Sequence, residues 1–169
     1  KRAALCAIAT AEHFRDEGHQ VLFLFDSITR FAEAHREVSL AAGETPALNA
    51  FPPSTVRAIA EVAERTGPGA KGQGDITAIF SVLVAGSDME EPVADMVRGV
   101  LDGHIILSRE ISERGRYPAI DVLRSVSRCL PDAAKPDENT TIRDYRRTIA
   151  LYEEIAPMLR ANLYERGHD

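Results

Sequence analysis

An aspartate closes a short, unbroken apolar run near the start of the chain. Residues 21–25 read Val-Leu-Phe-Leu-Phe, and Asp26 follows at once, before Ser27 and an amphipathic stretch. Such a run is typical of a central strand whose two faces are covered by helices, and ligands bind at the carboxyl ends of such strands. A carboxylate there can orient the water shell of a phosphate-bound Mg²⁺. The alternative is an aspartate that only caps the next helix.

Two further stretches carry charges that core packing does not explain. One is an acidic loop at 86–92, which follows a second apolar run and contains Asp88, Glu90 and Glu91. Its alternative interpretation is an ordinary solvated loop.

The second stretch is Arg-rich, covers residues 114–128 and ends in Arg128. An arginine at the end of a rigid turn can bridge two phosphate oxygens of a neighbouring subunit, because its planar fork keeps its charge. A structural salt bridge is the alternative for this arginine.

Residue spacing argues against several other chemistries. The Gly-rich loop 67–74 has glycines at the separation of a phosphate-binding loop, but Gln73 and Gly74 stand where Lys and Ser or Thr are needed. We interpret it as a flexible loop, so the chain has no Walker A motif. The five histidines and two cysteines show no metal-ligand spacing, and there is no Gly-x-Ser-x-Gly nucleophile elbow. Cys6 and Cys129 are expected to be small core residues.

Composition indicates a globular protein of the cytosol. The chain has 169 residues, 44% of them hydrophobic and 27% charged, which suits one domain with a sizeable core. The formal net charge of −6 argues against a surface that coats nucleic acid. No apolar stretch approaches the roughly 20 residues that span a bilayer. Two cysteines without a disulfide framework favour a reducing compartment.

Helical and apolar periodicities alternate along the chain. They predict helices at 3–17, at 28–42 with Ser27 as N-cap, from Ser54, and from Glu91 to Leu101, and strands at 21–26, 76–84 and 104–107. This alternation predicts an α/β fold with a mostly parallel sheet flanked by helices. A polar linker, residues 131–138, leads to a helical segment that Pro157 is expected to interrupt. We therefore expect a core at 1–130 and the start of a helical domain at 131–169.

Several ordered motifs resemble the flagellar and type III secretion ATPases of the rotary ATP synthase superfamily. They are FDSITRFA (25–32), RE (36–37), GETP (43–46), FPPS (51–54), DITA (75–78), DMEEP (88–92), LDGHIILSRE (101–110), ERGRYPAID (113–121) and SVSR (125–128). The stretch DSITR alone also resembles the Rho transcription terminator, but the later motifs do not. The resemblance implies a partial RecA-like core that assembles as a homohexamer, with ATP bound between neighbouring subunits.

The resemblance implies a role for each matching residue. Asp26 matches the Walker B acid, which holds Mg²⁺ through water, and Arg30 matches a second polar residue behind the catalytic site. Tyr117 matches the aromatic residue of catalytic subunits that stacks on adenine. Arg128 matches the arginine finger that acts in trans on the next subunit's γ-phosphate, a contribution of about 10³–10⁵ in rate. The loop that grips the central stalk protein in rotary relatives matches Asp88, Glu90 and Glu91.

The resemblance also implies parts that lie outside the chain. The chain starts at Lys1 without an initiator Met, and the family's P-loop and catalytic Glu would precede it. The helical domain would continue beyond Asp169. We therefore expect a fragment that neither hydrolyses ATP nor binds it tightly. The full-length protein is expected to be a cytoplasmic ATPase, peripheral to the inner membrane, that unloads chaperone-bound substrates into an export gate and binds no nucleic acid.

Two alternative functions stay open at this point. The first is the catalytic subunit of a proton-translocating ATP synthase, although Ser27 and the strand at 104–106 look more like the export branch. The second is a non-catalytic structural subunit with a degenerate nucleotide pocket. Asp26 and Tyr117 argue against the second alternative without excluding it.

Overall fold

The computed structural model describes residues 1–47, 51–87, 89–163 and 167. The chain divides into two compact units, Lys1–Leu101 and Asp102–Asp169. The domain division expected from the sequence, with a core at 1–130 and a helical domain from 131, remains a proposal. Within the described part of the chain, no helix combines the length and the apolar character that crossing a bilayer requires.

The first unit has the predicted α/β composition. Its elements are α1 (Arg2–Asp16), β1 (Val21–Phe25), α2 (Ile28–Ala41), α3 (Pro53–Glu64), β2 (Gly67–Pro68), β3 (Asp75–Phe80), a 3-10 turn (Ala85–Ser87) and α4 (Pro92–Val100). The helices expected at 3–17 and 28–42 are confirmed to within a residue. Strand β3 ends at Phe80 and not at Val84. Its pairing with β1 ends at Phe25↔Phe80, and Ser81 N–H adds one further bond to Phe25 C=O before the chain leaves the ladder.

The sheet of the first unit is parallel in only one of its two strand pairs. Strand order is β1-β3-β2. β1 and β3 run parallel from Val21↔Ile76 to Phe25↔Phe80, since α2 and α3 provide the long crossover that parallel strands need. β2 runs antiparallel to β3 because a short turn, closed by a 3.0 Å bond from Gly69 N–H to Gly74 C=O, joins them. The Gly-rich segment thus begins as a strand, which the sequence interpretation as a flexible loop missed.

The core of the first unit lies on one face of this sheet. Phe23 of β1 and Ile76 of β3 point to that face, against buried side chains of all four helices: Ile8, Ile28, Phe31, Ile59, Val62, Val93 and Val97. Leu22 and Leu24 point the other way and are 63% and 66% exposed. The expectation that helices cover both faces of β1 is therefore wrong for the described residues, in which the helices pack on a single face. Strand periodicity makes this alternation necessary, because successive side chains point to opposite faces.

The second unit combines an antiparallel strand pair with a long helix. Its elements are β4 (Gly103–Leu107), α5 (Arg109–Glu113), β5 (Ile120–Ser127) and α6 (Pro136–Arg160). The strand expected at 104–107 is confirmed, but it pairs antiparallel with β5 and not in a parallel sheet. β5 was not predicted, because its alternation is interrupted by Arg124 and two serines.

Two sequence expectations fail outside the strands. α6 starts at Pro136, within the expected linker, and it runs through Pro157 to Arg160 without interruption. Pro157 is tolerated because it lies in the last turn of the helix. Cys6 and Cys129 are exposed free thiols and not core residues. Cys6 lies on the solvent side of α1, whose buried residues are Ile8 and Ala11.

Candidate functional site

The carboxyl ends of β1 and β3 bring two polar side chains together. Asp26 follows β1 and Ser81 follows β3, one position beyond the last ladder pair. Ser81 N–H donates to Phe25 C=O at 3.0 Å, which continues the parallel ladder. Ser81 Oγ donates to Asp26 Oδ1 at 2.5 Å. Asp26 itself is exposed, so its carboxylate stays open to a ligand.

The helix that follows is anchored to the same strand ends. Ser27 is the N-cap of α2, as predicted, and its Oγ accepts from Arg30 N–H at 3.3 Å. Ile28 N–H donates to Ser81 C=O at 3.0 Å, and Leu83 N–H donates to Thr29 Oγ1 at 2.9 Å. Asp26 therefore does not cap α2, because Ser27 does. The capping alternative for the aspartate is thereby removed.

The oxygen atoms at this edge suit a hard cation that keeps its water shell. No group of three or more His, Cys, Asp or Glu side chains is placed to hold a metal ion anywhere in the described ranges. A single exposed carboxylate, oriented by a neighbouring hydroxyl, fits Mg²⁺ that is bound chiefly by water and phosphate. The residues present thus fit a phosphate-bound Mg²⁺ and do not fit a free-standing protein metal site.

A half-buried polar cluster joins α2 and the segment that follows it to the start of α3. Ser54 Oγ donates to Glu44 Oε2 at 2.6 Å, and His35 Nε2 lies 2.9 Å from Ser54 Oγ. Hydrogen bonds from Ser54 lower the pKa of the Glu44 carboxyl, and burial lowers the pKa of His35. Glu44 and Ser54 come from two of the motifs quoted above. The hydrogen bonds of this cluster therefore give both motifs a structural role, which is to connect the end of α2 with the start of α3.

The acidic loop folds partly back on itself. Glu91 Oε1 accepts from Ala85 N–H at 3.1 Å and so closes the 3-10 turn onto the start of α4. Glu90 is exposed to solvent and also takes part in a contact. Asp88 lies outside the described residues. Of the three acidic residues, Glu91 thus has a clear structural contact, and the expected stalk-binding role of the loop remains a proposal.

In the second unit, Tyr117 and Arg128 flank β5 at opposite ends. Tyr117 precedes the strand and is 75% exposed. Arg128 follows it, and its N–H donates to Asp102 C=O at 2.7 Å, which extends the strand ladder by one residue. The strand ends pair with Leu107 and Gly103, so they are separated by the length of β4, about 13 Å. The second unit therefore does not gather these two residues into one cluster.

Comparison of most of the sequence with known protein families shows the family of this chain. The model of the ATP synthase alpha/beta family, nucleotide-binding domain, matches residues 1–127. The chain belongs to this family. The predicted resemblance to the flagellar and type III secretion branch is confirmed by the relatives that the chain matches.

Curated relatives and solved structures of this branch align with almost the whole chain. The flagellum-specific ATP synthase of Treponema pallidum is 46% identical over 168 residues, which are 99% of this chain and 37% of that protein. The SPI-2 type 3 secretion system ATPase of Salmonella typhimurium is 49% identical over 99% of this chain and 38% of its own length. The chain thus spans less than two fifths of these two relatives. The assembled ATPase EscN of the enteropathogenic E. coli type III secretion system matches with a TM-score of 0.94 and 39% identity, covering 99% of this chain and 40% of EscN.

A second EscN structure contains a partner. EscN in complex with its central stalk EscO matches with a TM-score of 0.88 and 40% identity, over 99% of this chain and 39% of that chain. Membership of the ATP synthase alpha/beta family makes the first unit part of a nucleotide-binding domain.

Sequence reasoning missed Ser81 and Thr29, which fix the strand ends around Asp26. A signal for Ser81 was present, because it is the first polar residue after the apolar run of β3, as Asp26 is after β1. The expected strand end at 84 hid this correspondence. Thr29 gave no signal, because its contact with Leu83 depends on how the chain turns after both strands.

Proposed function

We propose that this chain is the Walker B to arginine-finger part of a protein-export ATPase that serves flagellar or type III secretion. The observation that carries this proposal is the exposed carboxylate of Asp26, fixed by Ser81 at the shared carboxyl edge of two parallel strands. Family membership and the match to EscN support it. The complete protein would couple ATP hydrolysis to unloading chaperone-bound substrates into an export gate.

In this proposal Asp26 holds the Mg²⁺ of Mg-ATP through water. The ion would neutralise charge on the phosphates, and Ser81 would keep the carboxylate oriented toward the bound water. Arg30, in the first turn of α2 behind Asp26, would add positive charge to the same edge. Tyr117, exposed before β5, would stack on the adenine ring.

Arg128 would act across a subunit boundary. Its position at the far end of β5 from Tyr117 supports an arrangement in which the two residues serve different nucleotides. A guanidinium can bridge two phosphate oxygens and stabilises charge that develops during phosphoryl transfer. The proposal therefore requires a ring, a homohexamer, in which each protomer completes its neighbour's site.

The remaining parts of the proposal concern the binding partners of the protein and its location in the cell. The loop with Asp88, Glu90 and Glu91 would contact a central stalk protein, as the EscN–EscO complex suggests by analogy. The protein would be cytoplasmic and associate only peripherally with the export apparatus at the inner membrane. It would bind no nucleic acid.

The deciding experiment uses the full-length protein that carries this chain. Arg128→Ala should leave ATP binding within about twofold while turnover falls by about 10³ or more. Asp26→Asn should weaken the Mg²⁺ dependence of nucleotide affinity and lower turnover. Arg143→Ala, an exposed arginine of α6, is the matched control and should change neither. If Arg128→Ala leaves turnover unchanged, Arg128 is not an arginine finger. If the wild-type protein shows no ATP turnover, the result favours the alternative of a non-catalytic structural subunit.

A further inference from the structure

Strand β5 contains an irregularity just before Arg128. Its register with β4 shifts: His104 pairs with Val126, but Ile106, two residues on, pairs with Asp121. Four residues of β5, 122–125, therefore lie opposite the single residue Ile105 of β4 and leave the ladder. A bulge of this kind frees main-chain carbonyls from their strand partners, and buried or half-buried carbonyls need another donor.

One side chain from α6 supplies most of these donors. Arg146 Nη1 donates to Val122 C=O at 2.6 Å and to Ser125 C=O at 3.2 Å, and Arg146 Nη2 donates to Leu123 C=O at 2.8 Å. The remaining carbonyl, that of Arg124, lies 3.2 Å from His104 Nε2, which must donate because a carbonyl only accepts. All four bulge carbonyls are thus held by side chains, three of them by Arg146.

Internal bonds close the bulge and connect it to β4. Ser125 Oγ donates to Asp121 C=O at 2.5 Å, and Ile106 N–H donates to Ser125 Oγ at 3.0 Å. The ladder then resumes at Val126 and continues through Ser127 to the bond between Arg128 N–H and Asp102 C=O. The two residues that separate the bulge from Arg128, Val126 and Ser127, are both paired with β4 and therefore form a short, stiff connection.

We propose that Arg146 is a positioning residue: it fixes the position of Arg128 by holding the β5 bulge against α6. The inference rests on the proposed function of Arg128. A guanidinium suits this task because its planar fork presents five donors in fixed directions, whereas a lysine ammonium is a single flexible point. Without it, three carbonyls lose their partners and residues 122–127 relax toward other geometries. A displacement of about 1 Å at a reacting group can cost about 100-fold in rate.

The test uses the full-length ATPase and the pair Arg146→Gln and Arg147→Gln. Arg147 is the next residue of α6 and is exposed, so it matches Arg146 in charge and helix position. Arg146→Gln should lower kcat by about 10–100-fold with an unchanged KM for ATP. It should also speed amide hydrogen exchange at residues 122–128. Arg147→Gln should change neither. Equal exchange and equal kcat in the two variants overturn the proposal.

A double variant separates positioning from general stability. If Arg146 acts through Arg128, then Arg146→Gln should have no further effect on kcat in an Arg128→Ala background, because the group it positions is gone. A further drop of the same size overturns the proposal. If Arg128→Ala collapses turnover but Arg146→Gln does not, the inference alone fails. If Arg128→Ala keeps full turnover, the finger assignment fails and the inference falls with it.

If Arg146→Gln does not fold, the same measurements of kcat, KM and amide hydrogen exchange on Arg146→Lys test the proposal. Lysine keeps the charge, but its three N–H donors sit on one nitrogen and cannot span three carbonyls as the guanidinium fork does, so kcat should again fall with KM unchanged. A wild-type kcat with lysine at this position overturns the proposal.

Discussion

Ser81 Oγ donates a 2.5 Å hydrogen bond to Asp26 Oδ1, so a hydroxyl at the end of one parallel strand fixes a carboxylate at the end of the next. The two side chains come from positions 55 residues apart in the chain. They meet because Phe25 and Phe80 are in register. This contact directs the exposed carboxylate without burying it.

We predict that Ser81→Ala lowers turnover of the full-length ATPase by about tenfold, because a hydrogen bond to a charged group contributes about 1.5 kcal/mol. The loss should be largest at low Mg²⁺ concentration, where carboxylate orientation limits ion binding. Steady-state rates measured across a range of Mg²⁺ concentrations check this. Ser112→Ala, which removes a hydroxyl that donates to Arg109 C=O one turn back in α5, is the control. Equal Mg²⁺ profiles for the two variants would contradict the orienting role of Ser81.

The ion pair between Glu12 and Arg65 should stabilise the first unit. Arg65 Nε and Nη2 donate to both carboxylate oxygens of Glu12, at 2.7 and 2.5 Å, and tie α1 to the end of α3. The side chains are 24% and 34% exposed, so we expect Glu12→Gln to cost about 1 kcal/mol in free energy of unfolding. Glu61→Gln breaks the exposed pair with Arg57 and should cost less than about 0.5 kcal/mol. Urea unfolding of both variants compares the two pairs.

The same pair predicts a pH dependence with a defined sign. The hydrogen bonds from Arg65 lower the pKa of Glu12 below its usual value of 4.5. A lowered carboxyl pKa contributes stability that is present above pH 4.5 and is lost as pH falls through the folded-state pKa. The difference in stability between wild type and Glu12→Gln should therefore shrink below pH 4.5. A difference that stays constant there would contradict the assigned cause.

His35 should make the first unit sensitive to mild acid. Ser54 Oγ gives its proton to Glu44, so His35 Nε2 donates to Ser54, and His35 Nδ1 is buried without a partner among the described residues. Burial and the charge of Lys1 lower the pKa of His35 below 6.5, although Glu44 and Glu61 oppose this shift. The unfolded chain then binds the proton more readily, so stability should fall as pH drops from 6.5 toward the folded-state pKa.

Histidine variants check this dependence. In His35→Gln the amide can still donate to Ser54 but cannot titrate, so the loss of stability just below pH 6.5 should become smaller. His13→Gln, which removes an exposed histidine 3.6 Å from Glu17, is the control and should keep the wild-type loss. Chemical unfolding at several pH values between 5 and 8 distinguishes the two. Parallel curves for wild type and His35→Gln would rule out His35 as the source.

Two glycines should respond in opposite directions to alanine. A Cβ at Gly103 would lie 2.5 Å from Val126 C=O, across the ladder that leads to Arg128, whereas Gly99 in α4 faces open space. We expect Gly103→Ala to destabilise the protein by about 1–3 kcal/mol, because backbone must move. Gly99→Ala should stabilise it by about 0.5 kcal/mol through helix propensity. Thermal unfolding of both variants tests the close approach, and a neutral Gly103→Ala would contradict it.

The sequence alone determined the α/β class, the family and the place of Asp26 at a strand end. Periodicity was sufficient for α1, α2 and β1, because each buries a regular set of apolar side chains on one face. Ser27 was recognised as the N-cap from its type and position. The roles of Asp26, Arg30, Tyr117 and Arg128 came from the resemblance and stay proposals.

Only the tertiary structure decided how the strands pair and which side chains they bring together. Sequence periodicity encodes which residues are buried, but strand direction depends on the connections and on long-range pairing. The antiparallel β4–β5 pair, its bulge and the contact of Ser81 with Asp26 were therefore not predicted. Arg146 lies 21 to 24 residues from the carbonyls that it holds. Such main-chain contacts leave no pattern in the sequence, because a carbonyl is the same at every residue.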